Sequence, residues 1–467
     1  NGSIRILEKG HLMRNLLFIS IMFCSLCGGR AQAISAEDLA TREGEFIFGQ
    51  AWLKKTRERL NERVDPFCID VLETWLIRLK NQFELGSLPV TALCLNGTEF
   101  NAFAAPGGII GVNRGIYLDL SSESEVMAVL AHELAHLSQR HHYRSLRNSE
   151  RISTGTLATL VGIVAAIATN QGQATQSLIV GGQAANATSA LAYSRDYERE
   201  ADRLGIAALG RAGYRPEAMS KVLKILADKQ SQSSKNLAFL STHPLGIERQ
   251  SDLDARISQL KGYEEKSPVL SDPDFQFFRC LQTEGLEPPI NRSSNIPCSS
   301  IHSVLRHYRA GNYREALVLF DRLPTRYKET FSGLDIEIAL TLKTGDLDRT
   351  ESAIDTVALF FPSWLQPAIA RVDLAIAQSR PILPRAIRER MIQRPERLDL
   401  WRALDRFAQA FEQEHFLFEA RGWDALLHGQ FEVASIQLER ARASWPKMLG
   451  QRPLDLLGQA IKQGKAL

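Results

Sequence analysis

An α+β fold that is mainly helical is what the sequence predicts: a domain with a small sheet, followed by an all-helical array. Three observations predict it. Helical periodicity dominates after the first hundred residues, strand signals cluster only around residues 88–119, and a short motif recurs at 34-residue spacing in the last third. A length of 467 residues calls for two or three domains. Hydrophobic residues at 44% and charged residues at 23% are the mix of a globular protein. The net charge of +3 is small for this length, so no nucleic-acid partner is expected.

The chain opens with the parts of an export signal. Met13 and Arg14 precede a charge-free apolar run over 16–27, and Ala31-Gln32-Ala33 offers a small-x-small cleavage site. The run is shorter than the ~20 residues that span a bilayer. We read residues 1–33 as upstream residues and signal peptide, with the mature chain beginning near Ile34; an uncleaved anchor is the alternative. Export would leave Cys68, Cys94, Cys280 and Cys298 in an oxidising compartment. Four cysteines allow three pairings. Cys280 and Cys298 bracket a proline-rich loop, and we expect the pairs 280–298 and 68–94.

The first domain is expected over 34–262. Phe103 to Val112, with Pro106-Gly107-Gly108 in the middle, predicts strand, turn and strand. Ser122-Glu123-Ser124-Glu125 is a capping box, and Val126, Val129, Leu130, Leu134 and Leu137 form an apolar stripe behind it, which predicts a helix over about 122–143. Ile152 to Ser194 carries no charged residue and is rich in Ala, Gly, Thr, Ser and Gln. We expect a mobile helical flap there that makes peripheral contact with membrane or client, with a buried small-residue hairpin as the alternative. Residues 263–300 carry five prolines and few periodic apolar positions, and read as a linker with a disulfide.

The last domain, 301–467, repeats itself. Gly311-Asn312-Tyr313 is followed by Ala316 and Phe320, Gly345-Asp346-Leu347 follows 34 residues later, and Gly429-Gln430-Phe431 is followed by Ala434 and Leu438. This unit resembles tetratricopeptide repeats, although 355–420 fits the pattern poorly. Plain helical hairpins are the alternative.

The chemistry lies in His132-Glu133-Leu134-Ala135-His136. Residues four apart on a helix share a face, so both imidazoles reach one ion. Glu133 lies about 100° around the helix, where it can touch a ligand on that ion. A catalytic zinc needs a third protein ligand and one open position. Glu198, at the start of a later helix, is the candidate ligand. Asp202, four residues on, would accept a hydrogen bond from a metal histidine. A solvated charged face is the alternative for both, because Arg195, Arg199 and Arg203 surround them. His243 precedes Pro244 at a loop end, downstream of a Ser- and Gln-rich stretch. We read it as a candidate regulatory fourth ligand that can swing out; a surface-packed helix-start residue is the alternative. His141 and His142 are expected to point some 80–180° away from the ligand face. His302, His307, His415 and His428 have no second ligand nearby in sequence. An extended substrate is expected to add to a sheet edge formed by Ile109–Val112.

His132-Glu133-Leu134-Ala135-His136, Tyr193-Ser194-Arg195 leading into Glu198-Arg199-Glu200-Ala201-Asp202, and Ser241-Thr242-His243-Pro244 together resemble the prenyl-protease-like zinc peptidases. The resemblance implies a zincin-like (gluzincin) metallopeptidase domain binding one Zn2+. It implies metal ligands at His132, His136 and Glu198, and the catalytic base at Glu133. With the export signal and the repeats it implies unfolded or misassembled outer-membrane β-barrel proteins as clients and contact with the β-barrel assembly machinery. A chaperone-like adaptor with little proteolysis is the competing function. A purely structural zinc protein fits less well, since such sites favour four closed ligands, often cysteine.

Overall fold

The computed structural model describes residues 41–86, 88–148, 195–232, 238–260, 266–286, 298–450 and 452–465. The export signal and the uncharged stretch 152–194 lie outside the described residues. Among the described residues, no helix is long and apolar enough to cross a membrane.

The chain enters through α1 (Arg42–Thr56) and α2 (Pro66–Lys80). Both start as their sequences dictate: Thr41 accepts from the Gly44 amide, and Asp65 accepts from the Cys68 amide just ahead of Pro66 at the first helical position. A three-stranded sheet follows, β1 (Thr91–Leu95), β2 (Ala102–Ala105) and β3 (Ile109–Asn113). β2 and β3 form the expected hairpin, turning through Gly107 and Gly108 at φ 81° and 83°. β1 pairs in parallel with the other side of β3, so the order is β1-β3-β2. The expectation that Ile109–Val112 offers a free edge is therefore corrected. β3 is central, and β2 is the edge that faces the histidine helix.

After α3 (Ile116–Asp119) comes that helix, α4 (Glu123–Ser138), and then α5 (His141–Asn148). The sequence predicts one helix across 122–143, but the chain breaks at Arg140, whose φ is +54°. No glycine marks the break. Instead the Arg140 guanidinium reaches Glu45 on α1 at 2.9 Å, a contact 95 residues away in sequence that holds the left-handed turn. α6 (Arg195–Ala212), α7 (Glu217–Gln232), α8 (Ala238–Thr242) and α9 (Ile247–Gln259) complete the unit around α4. Its core joins Trp75 and Leu76 of α2, Val126 and Leu130 of α4, and Leu209 and Leu226 of α6 and α7.

The linker reading of 263–300 is corrected over its described part, which contains α10 (Asp272–Thr283). Phe275 and Phe278 share one face and enter the first core, where Phe278 meets the rings of Phe67, Trp75 and Tyr117. Phe277 and Cys280 point the other way, into a cluster with Ile301, Val304 and Phe320. A helix that buries two opposite faces has no single apolar stripe, so the periodicity hides it. Both disulfides are formed with the expected pairing, Cys68–Cys94 and Cys280–Cys298.

From Cys298 onward the described chain is helical. Gly311, Gly345 and Gly429 adopt φ 79°, 85° and 72°, closing one helix before the next. The same left-handed turn recurs at Ser379 and Glu412, φ 53° and 52°. Ser379 lies 34 residues after Gly345, so the period runs on through the stretch that lacks its glycine. Asp70 of α2 ties this region down: its carboxylate accepts the Leu365 and Gln366 amides, both at 2.7 Å, and Arg397 at 3.0 Å.

Candidate metal centre

Two helices present the site. α4 carries His132, Glu133 and His136, all buried, beneath a cap in which Ser122 Oγ accepts the Glu125 amide. α6 packs on α4 through Ala201, Gly205 and Ala208, and this small face lets Glu198 and Asp202 approach the histidines. His243 arrives from the segment between α8 and α9. Its backbone amide bonds the Phe239 carbonyl, and its ring stacks on the Phe239 ring at 4.5 Å.

Donor atoms of His132, His136, Glu198 and His243 lie within 4.8 Å of one another. His132 Nε2 is 3.0 Å from His136 Nε2 and 3.2 Å from His243 Nδ1. Glu198 Oε1 is 2.9 Å from His243 Nδ1 and 3.3 Å from His136 Nε2. Ring nitrogens that converge this closely in a buried pocket need a cation between them, a proton or a metal, because neutral lone pairs repel. Three imidazoles and a carboxylate are a donor set that a transition metal accepts. Asp202 Oδ1 lies 3.1 Å from His132 Nδ1, behind the donor face. Glu133 stands beside the group, with Oε1 3.4 Å from His243 Nε2 and Oε2 accepting the Ala104 amide at 2.9 Å. The base candidate and edge strand β2 are thus directly joined.

Residues 72–257, a span containing every one of these side chains, match the family model described as Peptidase family M48. That span is similar to an M48 peptidase domain. The putative beta-barrel assembly-enhancing protease of Vibrio cholerae is 35% identical over 226 residues, 47% of this chain and 45% of that protein. The beta-barrel assembly-enhancing protease of Yersinia pestis is 27% identical over 397 residues, 82% of this chain and 76% of that protein. The mitochondrial metalloendopeptidase OMA1 of Schizosaccharomyces pombe is 34% identical over 150 residues, 32% and 41% of the two chains. The match thus spans under half of the Vibrio and Schizosaccharomyces proteins. An M48 domain implies a metal ion, and the buried His-His-Glu-His group fits one.

The electrostatics of the site favour a cation. Burial alone would depress His132, yet the Glu198 and Asp202 carboxylates raise it to about 10. Burial pushes the Glu133 carboxyl above its ordinary value, against the pull of His243 and His132. Glu198 is held well below the carboxylate range despite burial, by His243, His132 and Arg249.

Sequence reasoning missed three residues. Arg249 forks onto both Asp202 oxygens at 2.8 Å and also reaches Glu198 Oε2 at 2.8 Å. A buried arginine six positions beyond His243 carries no periodic signal that marks it. The expectation that His141 and His142 face away is corrected, because the break at Arg140 turns α5 back on the site. His141 Nδ1 lies 2.8 Å from His136 Nδ1, and His141 Nε2 is 3.2 Å from Glu200. His142 hydrogen-bonds the Ala104 backbone beside Glu133's contact there.

Proposed function

We propose that this chain is an exported, periplasmic zinc-dependent endopeptidase that binds one Zn2+ and acts on unfolded or misassembled outer-membrane β-barrel proteins. The observation that carries the reading is the buried donor group of His132, His136 and Glu198, with Glu133 within reach of both that group and strand β2. A bound zinc supplies Lewis acidity, polarising a peptide carbonyl and acidifying water. Glu133 takes the proton from the attacking water and passes it to the leaving amine nitrogen. Its raised affinity for a proton, set by burial, suits that shuttle. Asp202 holds the His132 ring in position. Alternation along β2 turns the backbone groups of Ala102 and Ala104 away from β3; Glu133 and His142 hold Ala104, so an extended substrate would add as a strand from the Ala102 end.

His243 is the regulatory member of this proposal. Its Nδ1 occupies the fourth donor position, which a catalytic zinc site leaves open for water. Client engagement by the helical C-terminal array, read as tetratricopeptide-like, would draw it away; contact with the β-barrel assembly machinery and membrane contact through 152–194 belong to the same proposal. The relatives named as β-barrel assembly-enhancing proteases support the client class. The filled fourth position also favours a second reading, a chaperone-like holder of clients whose proteolysis stays suppressed.

The test uses wild type, Glu133→Gln and His243→Ala on an unfolded protein substrate such as casein, with zinc content measured in parallel. Glu133→Gln is expected to keep zinc and lose about 10²–10⁴-fold in rate. His243→Ala is expected to cleave faster than wild type. A slower His243→Ala variant ends the latch, and a wild type and His243→Ala that both fail to cleave favour the holder.

A further inference from the structure

His132 and His136 sit on consecutive turns of one helix, yet they are backed by different chemistry. Behind His132 stands a carboxylate, Asp202, 3.1 Å from Nδ1. Behind His136 stands a second imidazole. His136 directs Nε2 to the donor group, 3.0 Å from His132 Nε2, and Nδ1 to His141 Nδ1 at 2.8 Å. His141 is fully buried, and its Nε2 continues to Glu200 Oε2 at 3.2 Å. Glu200 in turn accepts Arg144 Nη1 at 2.9 Å.

We infer that His141, backed by Glu200, is the positioning residue that holds His136 in the tautomer and ring orientation a metal ligand requires. The inference rests on the zinc reading above. The proton order follows from valence. A neutral His136 that keeps its Nε2 lone pair for a metal must carry its proton on Nδ1. That N–H donates to His141 Nδ1, which leaves the His141 proton on Nε2, where it donates to the Glu200 carboxylate. Each link fixes the next, and the Glu200 carboxylate, paired with Arg144 at 2.9 Å, is the terminal acceptor.

The local fold explains how His141 reaches this place. In an unbroken helix, residue i+5 lies about 140° around the axis from residue i and cannot meet its ring. The left-handed turn at Arg140 brings His141 back over His136. Tyr197 then stacks on the His141 ring, with centroids 4.5 Å apart and planes 11° apart, and the Arg144 guanidinium covers Tyr197 at 4.5 Å. Tyr197 immediately precedes Glu198, so this stack also joins α5 to the helix that carries the third donor. A neutral imidazole orients His136 without adding a further buried anion beside Glu198 and Asp202. The balancing charge of Glu200 sits farther out, partly exposed and paired.

The experiment measures zinc affinity of the full chain by chelator competition, starting from metal-free protein. Wild type is compared with His141→Ala, His141→Asn, Glu200→Ala and, as a ligand control, His136→Ala. His141→Ala is expected to weaken zinc binding about 10–100-fold in metal-free protein that still folds. His141→Asn is expected to restore most of the affinity, since Asn Oδ1 can take the place of Nδ1 as acceptor. A merely structural role would not make that distinction. Glu200→Ala is expected to weaken binding by a smaller factor, and it carries the test if His141→Ala does not fold. An affinity within twofold of wild type for the histidine-to-alanine variant at 141, or for Glu200→Ala in its place, overturns the positioning role when His136→Ala abolishes binding. A wild type that takes up no zinc is a different result and removes the zinc reading itself, together with this inference.

Discussion

Replacing Arg249 with methionine removes one charge from the centre of the site at nearly constant volume. Arg249 is 4% exposed, and its guanidinium forks onto Asp202 at 2.8 Å, forms an ion pair with Glu198 at 2.8 Å and donates to the Pro244 carbonyl at 3.1 Å. Both carboxylates are themselves buried. Breaking a buried ion pair by removing one partner costs about 3–5 kcal/mol, because the remaining charge stays desolvated. For a folding unit of this size each kcal/mol moves the melting temperature by ~2–4 °C, which gives a fall of roughly 6–20 °C in metal-free protein. Zinc should narrow the gap, since the dication compensates Glu198 in place of the arginine. Arg249→Lys should recover only part of the loss, because an ammonium cannot fork onto Asp202. Thermal unfolding followed by circular dichroism, in chelator and then in excess zinc, measures each quantity. A shift below about 2 °C in chelator would refute the account of Arg249 as the countercharge of the site.

The other predictions concern the scaffold. Phe278→Ala should cost about 3–5 kcal/mol in urea unfolding, since the ring is fully buried against Phe67, Trp75 and Tyr117; a loss under 1 kcal/mol would return α10 to the status of a linker. Removing both Cys280 and Cys298 as serines should cost about 3 kcal/mol in the chain-entropy model, read from the same unfolding curves. Asp335 is raised from 3.8 to about 8, first by burial and then by the charge of Asp65. The folded chain therefore keeps a proton that the unfolded chain has lost, so this contribution is complete below pH 3.8 and disappears as pH rises through about 8. Asp335→Asn should flatten that decline in a pH series of melting temperatures, and an unchanged slope would exclude Asp335 as its source.

Local patterns in the sequence determined the helix that carries His132, Glu133 and His136. A capping box and an i, i+3, i+4 stripe are short-range signals that tertiary packing reinforces. The β2–β3 hairpin was equally legible, because Pro106-Gly107-Gly108 admits few backbone paths. Glu198 and Asp202 were legible as a pair at helical spacing, but only next to the histidine motif, since arginines on both sides make the same letters read as a solvated face. The tertiary structure alone decided the rest, and in each case the cause is a long-range contact. β1 takes the outer side of β3 and leaves β2 as the edge, which no property of Ile109–Val112 encodes. Glu45 holds the turn at Arg140 and so swings His141 onto His136, where uninterrupted helical geometry would have sent it away. The phenylalanines of α10 serve two cores at once and cancel the periodicity by which a helix is recognised. Arg249 became visible only when folding placed it between two acids more than forty residues earlier in the chain. Periodicity records which face of an element is buried; which partner buries it is settled by the assembly of all the elements together.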